Sequence, residues 1–166
     1  MKISAQEEYG LRCLLHMAKS GDNGSLSIPE ISQAEGLSAP NVAKLMRLLR
    51  LAGFVASARG QAGGYALARP ADQIKVSEVL EALGGRLYSP SFCERHSGLD
   101  RSCNHSVDCA IRALWGTVQA VLDEVLGNTT ISDLAHSEVE VRQWIAQRKA
   151  AAERAGAAAG AGSSQG

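Results

Sequence analysis

Three of the four cysteines, Cys93, Cys103 and Cys109, fall in one polar stretch rich in Gly, Ser and Asp. Thiolates are the natural donors to soft metals, and a loop of small polar residues lets three of them converge on one centre. The pattern is Cys-x9-Cys-x5-Cys, and it is also compatible with a structural zinc site or with free thiols open to oxidation. Cys13 lies on the apolar side of a helical segment and reads as a packed thiol. The chain has no Cys-x-x-Cys, no His-Glu-x-x-His and no nucleophile–base pairing, so enzymatic chemistry is not expected.

A second chemistry is carried by cations. In the segment Ala39–Ala52, Val42, Leu45, Leu48 and Leu49 recur at helical spacing and point inward. The opposite face carries Pro40, Asn41, Ala43, Lys44, Arg47 and Arg50, with three cations and no acid. Such a face suits a duplex groove, where side chains near the start of a helix read base edges and cations hold phosphates. Asn41 and Lys44 are expected to reach bases, Arg47 and Arg50 phosphates, with Ser38 at the helix start among the contacts. Arg59 sits among glycines that let backbone approach DNA closely, and its guanidinium suits a narrow minor groove. Formal net charge is zero, yet residues 1–75 carry nine Lys/Arg against six Asp/Glu, which makes a basic half joined to an acidic one.

The elements that position these residues are legible in the pattern. Ala5–Lys19 reads as a helix closed by Gly21-Asp22-Asn23-Gly24. Ser27, Pro29 and Glu30 form a capping-box start for a short helix, Ile28–Glu35, stopped by Gly36. Ser38 caps the next helix, which Gly53 ends. Two short helices across a tight turn form a helix-turn-helix. Phe54–Ser57 and Tyr65–Ala68 flank Arg59–Gly64 as a hairpin, a wing beside the helix pair. Helical pattern returns from Ile74 to Gly84-Gly85, a polar loop covers Tyr88 to Asp108, and Ala110–Leu126 forms a longer helix. Its stripe of Leu114, Val118, Val121, Leu122 and Val125 has little in the chain to pack on, so a second subunit is the natural cover. A last helix, Ser137–Glu153, leads into an Ala/Gly/Ser tail expected to be disordered.

The expected fold is mainly α with a small β-hairpin wing: a winged helix-turn-helix domain (1–85), a cysteine-bearing sensor loop (86–109), a dimerisation helix with a C-terminal helix (110–154) and a tail (155–166). Apolar content of 45% supports a core, with Ala, Leu and Val rather than aromatics supplying it. Neither a secretory signal nor a bilayer-length apolar run is read, so a cytoplasmic protein without a membrane partner is expected, its cysteines reduced or metal-bound.

These features together resemble the Rrf2 family of bacterial transcription factors. The resemblance is carried by Lys2-Ile3-Ser4 leading into Tyr9 and Leu11, by Ile31, Gly36-Leu37-Ser38, and by Leu48, Arg50 and Ala52-Gly53. It continues through Arg59-Gly60, Gly63-Gly64-Tyr65, Leu67, Arg69-Pro70, Leu114-Trp115 and Asn128–Leu134, in register over about Met1–Leu134. It implies a homodimer on a palindromic operator of double-stranded DNA, read by positions 40 to 44 and by Arg59, with the long helix crossing to the other subunit. It further implies that the three cysteines hold an iron–sulfur cluster, [2Fe–2S] or [4Fe–4S], gating DNA binding. The fourth ligand is then Glu8 from the other subunit, with His105 as the alternative. Thiol oxidation without a cluster is the alternative regulation. Departures are visible. Pro40, Asn41, Ala43 and Lys44 differ from the family's iron–sulfur biogenesis regulator, the first cysteine arm is longer than usual, and Arg112 stands where that regulator has a ligating histidine. Glu8 also has an ordinary reading, as an i,i+4 ion pair with Arg12.

Overall fold

Helix α1, Ala5–Lys19, begins at a capping box: the Ser4 hydroxyl accepts from the Glu7 amide and the Glu7 carboxylate accepts from the Ser4 amide. The computed structural model describes residues 3–21, 25–58, 63–89, 91–96 and 108–161. α1 buries Cys13, Leu14 and Met17, and Gly10 lets α4 pass so close that a Cβ would lie 2.3 Å from Leu83 Cδ1. Helix α2, Ile28–Glu35, repeats the device with Ser27 and Glu30 and stops at Gly36, whose φ of 64° is the left-handed value a helix end favours. Helix α3, Ala39–Leu51, follows after three residues and packs against α1, α2, α4 and the first strand. Ser38 has the extended backbone of an N-cap, but its side chain makes no capping bond. Pro40 at the second helical position has no N–H to offer it.

Strands β1, Val55–Ala58, and β2, Gly64–Leu67, pair antiparallel with Val55 opposite Leu67 and Ala58 opposite Gly64. The hairpin is tied to the segment before α2 by Leu26 and Tyr65, which exchange backbone hydrogen bonds of 2.9 and 2.8 Å. Gly64 is required at this crossing, since a Cβ would lie 2.7 Å from the Leu26 carbonyl oxygen. The core beneath is Leu14, Ile31, Val42, Leu45, Met46, Leu49, Val55, Ile74, Val79 and Ile131. Met46 joins Leu45 in it, while Leu48, expected to face inward, is only partly buried.

Helix α4, Val76–Gly84, buries Val76, Val79 and Leu83. The stretch expected to be loop contains one helical turn, α5, Ser91–Arg95, and Tyr88 just before it is buried. Helix α6, Ala110–Gly127, returns to the N-terminal half, where Val76 N–H donates to the Thr129 carbonyl and Ile131 N–H to that of Ile74. Helix α7, Glu138–Ala161, starts at a third capping box, Ser137 with Glu140. It continues through 155–161, the first part of the segment expected to be disordered, because its alanines have the highest helix propensity and extend a helix already nucleated. Among the described residues no helix is long and apolar enough to cross a membrane.

Candidate nucleic-acid interface and cysteine loop

α3 presents two chemically different faces. Val42, Leu45, Met46 and Leu49 are buried, while Pro40, Lys44, Arg47 and Arg50 are exposed and Asn41 is half-buried at the flank. Among the described residues Lys44, Arg47 and Arg50 take no ion-pair or hydrogen-bond partner, unlike Arg12, Arg69 and Arg86, each held by a carboxylate. Their charge is therefore available to an external anion. Lys44 and Arg47, three residues apart, share one outer ridge with Pro40 and the exposed Leu51, and Arg50 extends it. Arg59 lies outside the described residues, but β1 runs directly from the end of α3: Phe54 N–H donates to the Leu49 carbonyl at 2.9 Å. Arg69 is not part of the free set. It pairs with Glu78 of α4 and lies over the Phe54 ring, 5.5 Å from its centroid.

Of the two described loop cysteines, Cys93 lies against a phenol and Cys109 stands at a helix start. Cys93 on α5 has its sulfur 3.6 Å from the Tyr88 hydroxyl, and that hydrogen bond, with burial and the nearby sulfurs of Cys93 and Cys109, pushes the phenol's pKa above its ordinary value. Cys109 is the N-cap of α6, its sulfur accepting from the Arg112 amide at 3.3 Å at the positive end of the helix. Both are free and half-buried, so the donor set fits a soft metal in kind: two partly accessible sulfurs. Cys103 and His105 lie outside the described residues, and no group of three ligating side chains converges among the described ones. Cys13 is fully buried, and burial first, then Glu35, pushes its thiol up to about 11 against the opposing pull of Arg12, as befits a packed thiol.

Glu8 does not pair with Arg12. Arg12 turns to α2, where Nε donates to Glu35 Oε2 at 2.9 Å and its guanidinium also reaches the Glu35 carbonyl, with His16 Nδ1 3.7 Å from the same carboxylate. The longer-range pair wins because Glu35 offers two acceptors in one place. Glu8 is left exposed on α1 without an ion-pair or side-chain hydrogen-bond partner among the described residues. Two residues around the cysteines went unread in the sequence, Tyr88 and Gln119. Gln119 is 9% exposed on α6, accepts from the Tyr88 amide at 2.9 Å and donates to Asp123 Oδ1 at 2.8 Å. The available signal was a polar side chain one position from Val118 on the apolar stripe of α6.

Comparison with known proteins converges on one group. Residues 3–137 match the family profile described as Rrf2, iron-dependent transcriptional regulator. The chain is 34% identical to protein rrf2 of Nitratidesulfovibrio vulgaris over 134 residues, covering 81% of this chain and 87% of that one. It is 33% identical to the transcriptional regulator CymR of Bacillus subtilis, over 81% of this chain and 90% of the other. The solved structure of the B. subtilis global cysteine regulator CymR superposes with a TM-score of 0.65 at 32% identity, over 81% of this chain and 96% of that one. That of T. potens IscR gives 0.64 at 30% identity, over 81% and 85%.

Proposed function

The chain belongs to the Rrf2 family of transcriptional regulators, and from that premise we propose that it is a homodimer that reads a palindromic operator and is gated by an iron–sulfur cluster in its cysteine loop. It is a DNA-binding transcriptional regulator of mainly α winged-helix architecture, not an enzyme, as its relatives are. One observation carries the assignment of the reading surface: three unpaired cations on the exposed face of the helix after a tight turn, with a hairpin following directly. In this reading Asn41 and Lys44 touch base edges, Arg47 and Arg50 hold phosphates, Ser38 and Pro40 lie among the contacts at the helix start, and Arg59 enters the minor groove. α6 supplies the subunit contact in the cytoplasm-resident dimer, with Ile111, Leu114, Trp115 and Val121 exposed along it.

Cys93, Cys103 and Cys109 would hold the cluster, [2Fe–2S] or [4Fe–4S], with Glu8 of the partner subunit as fourth ligand and His105 as the alternative. The unengaged carboxylate of Glu8 favours the first choice. When bound, the cluster supplies a centre that can be oxidised, nitrosylated or lost. The chain's own residues turn that into a DNA response only if its states differ in operator affinity. The second reading, thiol oxidation without a cluster, is favoured by the two half-buried free sulfurs of Cys93 and Cys109 and by the likeness to the cysteine regulator CymR. Anaerobic purification separates the two: brown protein with iron and sulfide supports the cluster, and colourless iron-free protein removes it.

The reading surface is tested by mobility shift. Lys44→Ala should cost about 1–3 kcal/mol and relax base preference. Arg47→Ala should weaken all sequences alike and make the salt dependence about one unit shallower. Wild-type affinity in both variants would refute the assignment.

A further inference from the structure

A continuous set of polar contacts runs from Cys93 to α6 and on to α4. The Tyr88 hydroxyl lies 3.6 Å from Cys93 Sγ, and the Tyr88 amide donates to Gln119 Oε1 at 2.9 Å. Gln119 Nε2 donates to Asp123 Oδ1 at 2.8 Å, and Asp123 Oδ2 accepts from the Arg86 guanidinium, which also stands 4.0 Å from Glu81 of α4.

Gln119 is the unusual member. It is one of two buried polar side chains among the described residues, on a helix whose Leu114, Trp115 and Val121 stay in solvent. An apolar side chain would fill a buried helix position without needing partners. A buried carboxamide requires them, and here one end is committed to the backbone of the cysteine segment and the other to the ion pair that joins α6 to Arg86. Such an amide specifies which arrangement of the segment is bound.

We infer that Gln119 is the joint through which bond formation at the Cys93 sulfur is felt by α6 and α4, with Tyr88 as the positioning residue that reports the sulfur to it. The inference rests on the gating reading above. A sulfur that acquires a new bonded neighbour cannot keep its place against the phenol, so the Tyr88 ring shifts and pulls on the amide clamped by Gln119. The joint borders an open cleft of about 600 Å³ between α1, α4 and α6, lined by Arg86, Gln119 and Asp123, which leaves these side chains room to rearrange. α4 packs against α1 and α3, so a shift at Arg86 and Glu81 reaches the DNA-reading helix through direct packing.

The test uses the full chain carrying Cys103→Ser and Cys109→Ser, in which Cys93 is the accessible thiol because Cys13 is fully buried. Iodoacetamide alkylates it: the thiolate forms the S–C bond, iodide leaves with the electrons of the C–I bond, and the thiol proton passes to buffer. Affinity is measured before and after, on a duplex selected by the wild-type chain from a random-sequence pool. Alkylation should change the affinity of the parent about tenfold, and Gln119→Leu should reduce that change to about twofold or less. Tyr88→Phe keeps the ring and the backbone clamp, so it folds as the parent does, and it should lose the response equally. Hydrogen exchange separates the two variants, because the Tyr88 amide should exchange at least about tenfold faster in Gln119→Leu and unchanged in Tyr88→Phe. Full response in both variants overturns the joint and leaves gating intact. A parent that does not respond removes gating at Cys93 and the joint with it.

Discussion

At the scale of single residues, the cysteines divide by what surrounds them rather than by sequence spacing. Cys13 is enclosed by α1 and its packing partners, with its thiol pushed up to about 11, mainly by burial. Two consequences follow from that. In folded, cluster-free protein at neutral pH, mass spectrometry after brief iodoacetamide treatment should find Cys93 and Cys109 modified and Cys13 intact, with Cys13 labelled once denaturant is added. The folded thiol keeps its proton to higher pH than the unfolded one, whose ordinary value is 9.0, so its stabilising contribution is complete below that value and fades as pH rises towards 11. The loss should reach about 2–3 kcal/mol, and Cys13→Ala should flatten this part of the urea-midpoint profile.

At the scale of elements, the wing depends on a crossing that a side chain would block. Gly64 passes against the backbone of Leu26, and neither carbonyl nor amide there can move aside as a flexible side chain could. Gly64→Ala should break the Leu26–Tyr65 bridge, cost about 1–3 kcal/mol in chemical denaturation, and weaken DNA binding more than that loss alone implies. The wing would detach from the helix-turn-helix while α3 and its core stay formed. A variant with full stability and full affinity would show that the hairpin is held elsewhere. The same logic explains α1 and α4, where Gly10 permits the close approach that buries Leu83.

At the scale of the whole molecule, α6 leaves Ile111, Leu114, Trp115 and Val121 in solvent, an apolar row that a lone subunit would not tolerate well. In the proposed dimer, Leu114→Glu should shift sedimentation to the monomer, make thermal stability independent of protein concentration, and abolish tight operator binding, since one recognition helix holds too few contacts. A variant that remains dimeric would place the subunit contact on another face.

Much of this architecture was legible in order along the chain. Capping residues, helix-stopping glycines and 3.6-residue periodicity are local, so Ala5–Lys19, Ile28–Glu35 and the hairpin could be read before any contact was known, as could the three cations on the outer face of α3. Other features depended on residues distant in sequence. Arg12 chose Glu35 over Glu8 because α2 folds back beside α1, and Gln119 became buried because Tyr88 packs onto α6 thirty-one residues away. The alanine-rich end misled for a related reason: composition suggested disorder, whereas a helix nucleated at Ser137 carries alanine onward at little cost. Periodicity and caps act between neighbours and determine elements. Which polar groups meet, and which sulfur lies against which phenol, is decided only when those elements close on one another, because a buried polar atom must find its partner wherever the fold brings one.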